Sequence, residues 1–152
     1  MASALTLAAP LTAQADNQQG MDVPKIASSV VLGDLDQPWD MAFLPDGTMF
    51  FTEKCKGLSV RTKDGTVNAL YGMTDTTGYA DSGSDLFCEG QAGMLGVVPD
   101  RHFAKNRYLF VYSSSTKYHG DGCKTNFERC DGNIVMRFKV SEDLKSVSDR
   151  TD

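Results

Sequence analysis

The chain has 152 residues, of which 20 are acidic and 15 are basic, so its net charge is −5. Its length suits one domain or part of a larger one, and its 41% apolar and 23% charged residues are typical of a globular protein and not of a disordered one. The acidic balance argues against nucleic-acid binding, which needs a basic face. No run of 18 apolar residues predicts a membrane span.

The first fifteen residues, MASALTLAAPLTAQA, resemble the end of a secretory signal peptide. A short apolar run is followed by Ala13-Gln14-Ala15, which has the small-x-small form of a cleavage site. No basic residue precedes the apolar run, so the segment is either a remnant whose start lies upstream or a disordered tail. We expect a signal-peptide remnant over 1–15, a mature region over 16–152, and a periplasmic or secreted protein.

The next segment predicts two β-hairpins. Short apolar runs alternate with turns that contain Asp-Gly, a strong hairpin signal. Proline presets the backbone for such a turn and glycine accepts the positive φ that closes it. The predicted hairpins are 39–44 with 48–53 around Pro45-Asp46-Gly47, and 58–62 with 66–71 around Lys63-Asp64-Gly65.

After a polar stretch over 74–89, the pattern returns. The run 93–100 resembles 41–46, and Met94 follows Met41 by 53 residues. Further strands are predicted at 108–112 and 133–140, with a fourth near Ser146. Two four-stranded antiparallel units at such a period predict an all-β fold, the first two blades of an incomplete β-propeller.

A β-sandwich of eight short strands is the competing architecture. Blades bury their faces against neighbouring blades, so two blades alone are expected to leave an apolar face without a partner. Most aromatic side chains lie inside strand runs and are predicted to be core residues, namely Trp39, Phe43, Phe50, Phe51 and Phe110.

The four cysteines predict disulfides, because an even number of cysteines in an exported protein usually forms them. Cys123 and Cys130 lie in one polar loop, so we expect them to pair and to leave Cys55 with Cys88. Three pairings are possible in principle, and four reduced, buried cysteines are the alternative. No C-x-x-C pair indicates a zinc site.

Catalytic motifs are scarce. The sequence contains no nucleophile elbow, zinc-protease, phosphate-loop or dinucleotide motif. His102 and His119 have no neighbours that indicate a base or a ligand, and both are predicted to be loop residues. An acidic group lacks the spacing of a calcium loop and is predicted to be a solvated loop; it comprises Asp75, Asp81, Asp85 and Glu89.

Gln91 is the candidate binding residue. It lies among small residues in Gly90-Gln91-Ala92-Gly93, just before a strand, where a ligand or another strand can approach closely. Its amide can both donate and accept hydrogen bonds. A turn amide that satisfies nearby backbone groups is the alternative interpretation.

Two segments resemble the soluble glucose/sorbosone dehydrogenase family, also called aldose sugar dehydrogenases. The first is PWDMAFLPDG with Thr52-Glu53-Lys54, and the second is GQAGMLGV, followed by FAKNRY and a strand. The likeness covers about residues 28–140 and the first third of a family member. The order Pro99-Asp100-Arg101-His102, where the family often has His-Pro-Asp, and Ala92 depart from its pattern.

The resemblance implies a six-bladed β-propeller that oxidises sugars by hydride transfer to pyrroloquinoline quinone (PQQ), with calcium (Ca2+), and passes electrons to an external acceptor. It implies cofactor or substrate binding by Gln91 and places the general-base histidine and the calcium ligands beyond residue 152. This chain alone is therefore expected to bind neither group fully and to be inactive, with later blades as possible partners. The competing hypothesis is a non-enzymatic module that binds carbohydrate or protein.

Overall fold

A computed structural model of the chain describes residues 24–117 and 132–152. The chain divides after Val31, and of the residues before that boundary the structure describes only 24–31, which form no helix or strand. The signal-peptide prediction over 1–15 lies outside the described residues. No helix in the described ranges is long and apolar enough to cross a membrane.

The described residues from 32 onward form two sheets, which are antiparallel, as the sequence predicted, except for the pairing of the short strand β5. The first sheet has the order β1-β2-β3-β4-β5 and the second β6-β7-β8-β9. The strands of the first sheet are β1 (Pro38–Phe43), β2 (Met49–Glu53), β3 (Gly57–Arg61), β4 (Val67–Gly72) and β5 (Asp81–Ser82). Those of the second are β6 (Met94–Pro99), β7 (Tyr108–Ser115), β8 (Gly132–Val140) and β9 (Val147–Thr151).

Both predicted turns have the same local chemistry. Gly47 and Gly65 have φ values of +88° and +94°, a conformation that glycine adopts without steric cost. In the first turn the Gly47 N–H donates to the Leu44 carbonyl (3.0 Å), and the Asp46 carboxylate accepts from the Thr48 N–H (3.0 Å). Each hairpin is therefore set by its own few residues.

Two elements were missed by the sequence analysis. β5 lies within the stretch 74–89 and pairs in parallel with β4, through Tyr71 opposite Asp81. One turn of helix, α1 (Phe103–Asn106), connects β6 to β7 and buries Phe103. Both elements are too short to produce a periodic pattern in the sequence.

The core lies between the facing sides of the two sheets. In β8 the predicted alternation holds, since Ile134, Met136 and Phe138 are buried whereas Val135 is 54% exposed. Tyr71 of the first sheet packs on Phe138 of the second, with ring centroids 4.7 Å apart. The core residues are Phe50, Leu58, Val60, Leu70, Tyr71, Met73, Leu86, Met94, Val97, Phe103, Leu109, Val111, Ile134, Met136, Phe138 and Val140.

The prediction that five strand aromatics are core residues is confirmed for Phe50 and Phe51, which are buried. It is wrong for Trp39 and Phe43, which are 49% and 59% exposed, and Phe110 is partly buried and lies outside the core cluster. Met41 is exposed as well, whereas Asp40 and Ala42 between them are partly buried, so one side of β1 presents exposed apolar side chains.

Candidate functional site

Gln91 lies in a tight turn that precedes β6. The Ala92 N–H donates to the Glu89 carbonyl (2.8 Å) and the Glu89 N–H donates to the Ala92 carbonyl (3.3 Å), so the two ends of the turn are joined. Gly90 has a φ of +54° and lets the chain reverse between them. Gln91 is exposed, and among residues 24–117 and 132–152 no group hydrogen-bonds to its amide.

The turn borders an open recess of about 370 Å³. Its walls combine amides, a hydroxyl and apolar surface, and they are formed by Phe87, Gln91, Ala92, Leu95, Tyr112, Ser114, Gly132 and Asn133. Gln91 enters from the segment before β6, whereas Tyr112 and Asn133 come from β7 and β8. The recess therefore lies at one end of the second sheet.

Tyr112 and Asn133 were missed as candidate residues. Tyr112 is 40% exposed. The Asn133 side-chain oxygen accepts a hydrogen bond from the Ser114 hydroxyl (3.1 Å), which leaves its amide nitrogen available to a ligand. Ser114 and Asn133 are Cα partners in the β7–β8 ladder. The available sequence signal was a polar side chain at the start of a strand, the same position that singled out Gln91 before β6.

The described side chains of the recess are suited to binding a ligand. Amide groups donate and accept hydrogen bonds, and an aromatic face packs against apolar faces of a ligand. The described residues that line the recess include no carboxylate, histidine or lysine.

The segment that carries Gln91 is covalently attached to the first sheet. Cys55 and Cys88 form a disulfide with their Cα atoms 5.2 Å apart, which is the pairing favoured by the sequence. Cys55 lies in the turn between β2 and β3, and Cys88 lies three residues before Gln91. Cys123 and Cys130 lie outside the described residues, so their pairing stays a prediction.

Lys54, in the turn between β2 and β3, contacts the turn that contains Gln91. Its ammonium group donates to the Gly90 carbonyl (2.7 Å), and its own carbonyl accepts from the Met94 N–H (2.9 Å). A Cβ atom at Gly93 would lie 2.5 Å from the Lys54 carbonyl oxygen, so only glycine allows this approach. The absence of a side chain at Gly93 thus lets the backbone of Lys54 approach the Gln91 segment closely.

His102, the histidine among the described residues, does not reach this site. His102 is exposed, and it follows the far end of β6, whereas Gln91 precedes its near end. A six-residue strand is about 20 Å long, so the two side chains lie at opposite ends of the sheet. His119 lies outside the described residues.

The acidic residues of 74–89 do not gather into a metal-binding group. Among residues 24–117 and 132–152, no three His, Cys, Asp or Glu side chains are placed to hold a metal ion. Asp85 instead accepts two hydrogen bonds from the Arg150 guanidinium (2.7 and 2.6 Å) and one from the Ser115 hydroxyl (2.7 Å). These bonds, above all that from Arg150, lower the pKa of Asp85 to about 2.

Comparison with known families identifies the chain. The sequence model of the glucose/sorbosone dehydrogenase family matches residues 35–152. The chain belongs to the glucose/sorbosone dehydrogenase family. The resemblance carried by the motifs around Trp39 and Gln91 is therefore confirmed.

Relatives of the chain include sugar dehydrogenases. It is 28% identical over 127 residues to the aldose sugar dehydrogenase YliI of Escherichia coli. The aligned region covers 83% of this chain and 30% of YliI. It superposes on the crystal structure of the soluble aldose sugar dehydrogenase of Escherichia coli in its apo-form with a TM-score of 0.54 and 28% identity, covering 77% of this chain and 29% of that one.

A more distant structure shows the same fold. The PQQ-bound form of the aldose sugar dehydrogenase of Streptomyces coelicolor has a TM-score of 0.56 and 16% identity to this chain, covering 81% of it and 31% of the Streptomyces protein. The chain thus spans less than a third of the length of each of these glucose/sorbosone dehydrogenase relatives. The all-β, propeller-like architecture of its two sheets is consistent with theirs.

Proposed function

We propose that this chain is the N-terminal part of a quinoprotein that oxidises aldose sugars with PQQ. The observation that carries the proposal is the family match over residues 35–152. The identity of the chain to an aldose sugar dehydrogenase and its structural likeness to a PQQ-bound one support it. We further propose that the two sheets are the first two blades of a six-bladed β-propeller.

The residues of the recess fit a ligand such as a quinone or a sugar. Both kinds of molecule present oxygen atoms around a ring, and the Gln91 amide can donate to such an oxygen or accept from a hydroxyl. Tyr112 and the Asn133 nitrogen offer further contacts in the same recess. We assign Gln91 a binding and orienting role toward the cofactor or the substrate.

The chemistry of the reaction belongs largely to the bound quinone, which supplies the hydride acceptor for the sugar carbon. The part of this chain near Gln91 orients ligand atoms and excludes water on one side. The histidine that removes the sugar hydroxyl proton is expected beyond residue 152, as are the calcium ligands. We assign no calcium ligand within the described ranges, because they bring no suitable group of side chains together.

We also propose that the protein is exported to the periplasm or secreted. The features of residues 1–15 support this. The Cys55–Cys88 disulfide does so as well, because disulfides persist in oxidising compartments.

The test is aldose-dependent reduction of a redox dye by the complete protein, reconstituted with PQQ and calcium. We expect turnover that disappears when the quinone is omitted. The Gln91→Ala variant should lower kcat/KM about tenfold, since a lost hydrogen bond to a ligand costs about 1–2 kcal/mol. Gln91→Glu, which keeps the acceptor but loses the donor, shows which function the amide serves. No aldose oxidation under any of these conditions would reject the proposal.

One observation favours the binding-module alternative. The side chains of Trp39, Met41 and Phe43 are 49–60% exposed on one face of β1, and exposed aromatic rings can stack on sugars. A binding module would bind sugar without oxidising it and would lose binding in Trp39→Ala. A dehydrogenase instead needs this face covered, and Trp39→Ala should then lower stability more than sugar affinity.

A further inference from the structure

Two consecutive residues of the first sheet contact the Gln91 turn on both of its sides. Lys54 donates from its ammonium group to the Gly90 carbonyl, just before Gln91, at 2.7 Å. The Lys54 carbonyl accepts from the Met94 N–H, just after the turn, at 2.9 Å. The next residue, Cys55, is bonded to Cys88 at the start of the segment that leads into the turn. The turn is therefore held at three points by residues 54 and 55.

A turn of this kind needs such contacts to stay in one conformation. It is exposed, it contains Gly90 in a left-handed conformation, and the paired backbone bonds of Glu89 and Ala92 join its two ends. Exposed loops with few buried contacts open locally at low free-energy cost. A hydrogen bond from a charged donor is stronger than a neutral one, and a disulfide limits how far the segment can move.

We propose that Lys54 is a positioning residue, which acts with the Cys55–Cys88 disulfide to hold the 89–92 turn so that the Gln91 amide borders the recess. This inference rests on the proposed function of Gln91. Lys54 acts through the Gly90 carbonyl and does not itself contact the ligand. Loss of its ammonium group lets the turn move, and the affinity supplied by Gln91 falls.

The chain offers a matched control. Lys56 lies on the other side of Cys55, and its ammonium group pairs with the Glu53 carboxylate at 3.0 Å and not with the Gln91 turn. Lys54→Met and Lys56→Met each remove one ammonium group from the same hairpin and keep an unbranched, flexible side chain that is one atom shorter. Lys54→Arg keeps a charged donor at the first position.

The experiment uses the complete protein with PQQ and calcium, and measures the dissociation constant of the quinone and the KM and kcat for an aldose. Gln91→Ala raises either the dissociation constant of the quinone or the KM for the aldose, and Lys54→Met is expected to raise that same quantity about fivefold. This factor corresponds to the loss of one charge-assisted hydrogen bond at the surface. Lys54→Arg and Lys56→Met should stay within about twofold of the wild-type value, because each leaves the Gly90 contact available.

A double-mutant cycle separates positioning from direct contact. If Lys54 acts through Gln91, Lys54→Met has no further effect in a Gln91→Ala background. Equal effects of Lys54→Met and Lys56→Met, or fully additive effects of Lys54→Met and Gln91→Ala, would overturn the proposal. The double variant Cys55→Ala/Cys88→Ala should likewise have no further effect in a Gln91→Ala background. Additive effects would show that the disulfide does not help to position the turn.

A readout without cofactor keeps this inference distinct from the proposed function. The Ala92 N–H, which closes the turn, should exchange with deuterium about fivefold faster in Lys54→Met than in Lys56→Met. Equal exchange rates would overturn the proposal even if the enzyme is active. Wild-type protein that fails to bind the quinone would reject the proposed function. Faster exchange in Lys54→Met would still support the proposal that Lys54 holds the 89–92 turn.

Discussion

The side chains of Asp85 and Arg150 show how one partly buried ion pair organises the long connection between the sheets. The Arg150 guanidinium donates to both Asp85 oxygens and to the Tyr71 hydroxyl (3.1 Å), and only about a fifth of each charged side chain is exposed, 20% for Arg150 and 23% for Asp85. The pair therefore ties the segment before Gln91 to β9 and to the core ring of Tyr71. The pKa of Asp85 falls to about 2, and that of Arg150 rises above its ordinary value, because each group stabilises the charge of the other.

The direction of the Asp85 shift predicts how this pair depends on pH. The pKa of this carboxyl falls from 3.8 in the unfolded chain to about 2 in the folded protein. Its charge therefore stabilises the folded protein fully at pH values above the unfolded pKa, and this stabilisation is lost as the pH falls through the folded pKa. Asp85→Asn should lower the free energy of unfolding of the complete protein at neutral pH by about 2 kcal/mol. The difference from wild type should shrink as the pH is lowered from about 4 to about 2.

Urea unfolding at a series of pH values measures this difference. Asp75→Asn is the control, because Asp75 is exposed in the same segment and has a φ of +63°, which asparagine tolerates. A wild-type advantage over Asp85→Asn that stays constant down to about pH 2 would contradict the assignment of the stabilising charge to Asp85.

Among the elements, the edge strand β6 depends on hydrogen bonds from residues 40–54 of the other sheet and its connecting turn. Its outward backbone groups have no strand partner within the second sheet, where β6 is the first strand. The Thr52 hydroxyl donates to the Leu95 carbonyl, the Asp40 carboxylate accepts from the Val97 N–H (2.9 Å), and the Lys54 carbonyl accepts from the Met94 N–H. Three polar groups of an unpaired edge are thereby satisfied, which fixes how the sheets dock.

Thr52 lies at the centre of this contact and is fully buried. Its hydroxyl also accepts from the Asp40 N–H (3.2 Å), so Thr52→Val leaves one donor and one acceptor without partners while it keeps shape and strand preference. We expect a loss of about 1–3 kcal/mol in the free energy of unfolding. The exposed Thr77→Val, measured by the same urea unfolding, should change it by less than about 0.5 kcal/mol. Equal effects at the two positions would show that the hydroxyl bridge is unimportant.

The strands and the two hairpins could be predicted because their causes are local. Pro45-Asp46-Gly47 and Lys63-Asp64-Gly65 contain their own turn chemistry, and the alternation in β8 reports which side faces the core. The two-residue strand β5 is too short to produce a periodic pattern. The exposed positions of Trp39 and Phe43 depend on how β1 packs in the folded chain, which a strand pattern alone does not report.

The candidate site was predictable only in part. Gln91 was singled out by its small neighbours and by resemblance to a family motif. Asn133 and Tyr112 join it only through the register of β7 and β8, in which Ser114 lies opposite Asn133 and Tyr112 opposite Val135. The Lys54 contact requires the docking of one sheet on the other. Neither the strand register nor the docking of the sheets can be predicted from a short run of sequence.

At the scale of the whole molecule, the two sheets leave apolar side chains on their outer faces. On the first sheet these are Trp39, Met41 and Phe43, and on the second Val98 (56% exposed), Tyr112 and Val135. Exposed apolar residues grouped on one face usually mark a surface that another element covers. Blades of a propeller pack between two neighbours, so the proposed architecture accounts for an apolar face on each side of the pair.

The proposed architecture predicts that residues 1–152 alone are inactive. The described lining of the recess offers amides and a phenol but no group that removes a proton at neutral pH, and the base is expected beyond residue 152. The purified 1–152 polypeptide, supplied with PQQ, calcium and an aldose, should reduce no dye above the rate of a sample without protein. The complete protein assayed in parallel is the control. Sugar-dependent dye reduction by 1–152 would show that its own residues complete the catalytic site, whereas sugar binding without dye reduction, lost in Trp39→Ala, would favour the binding-module alternative.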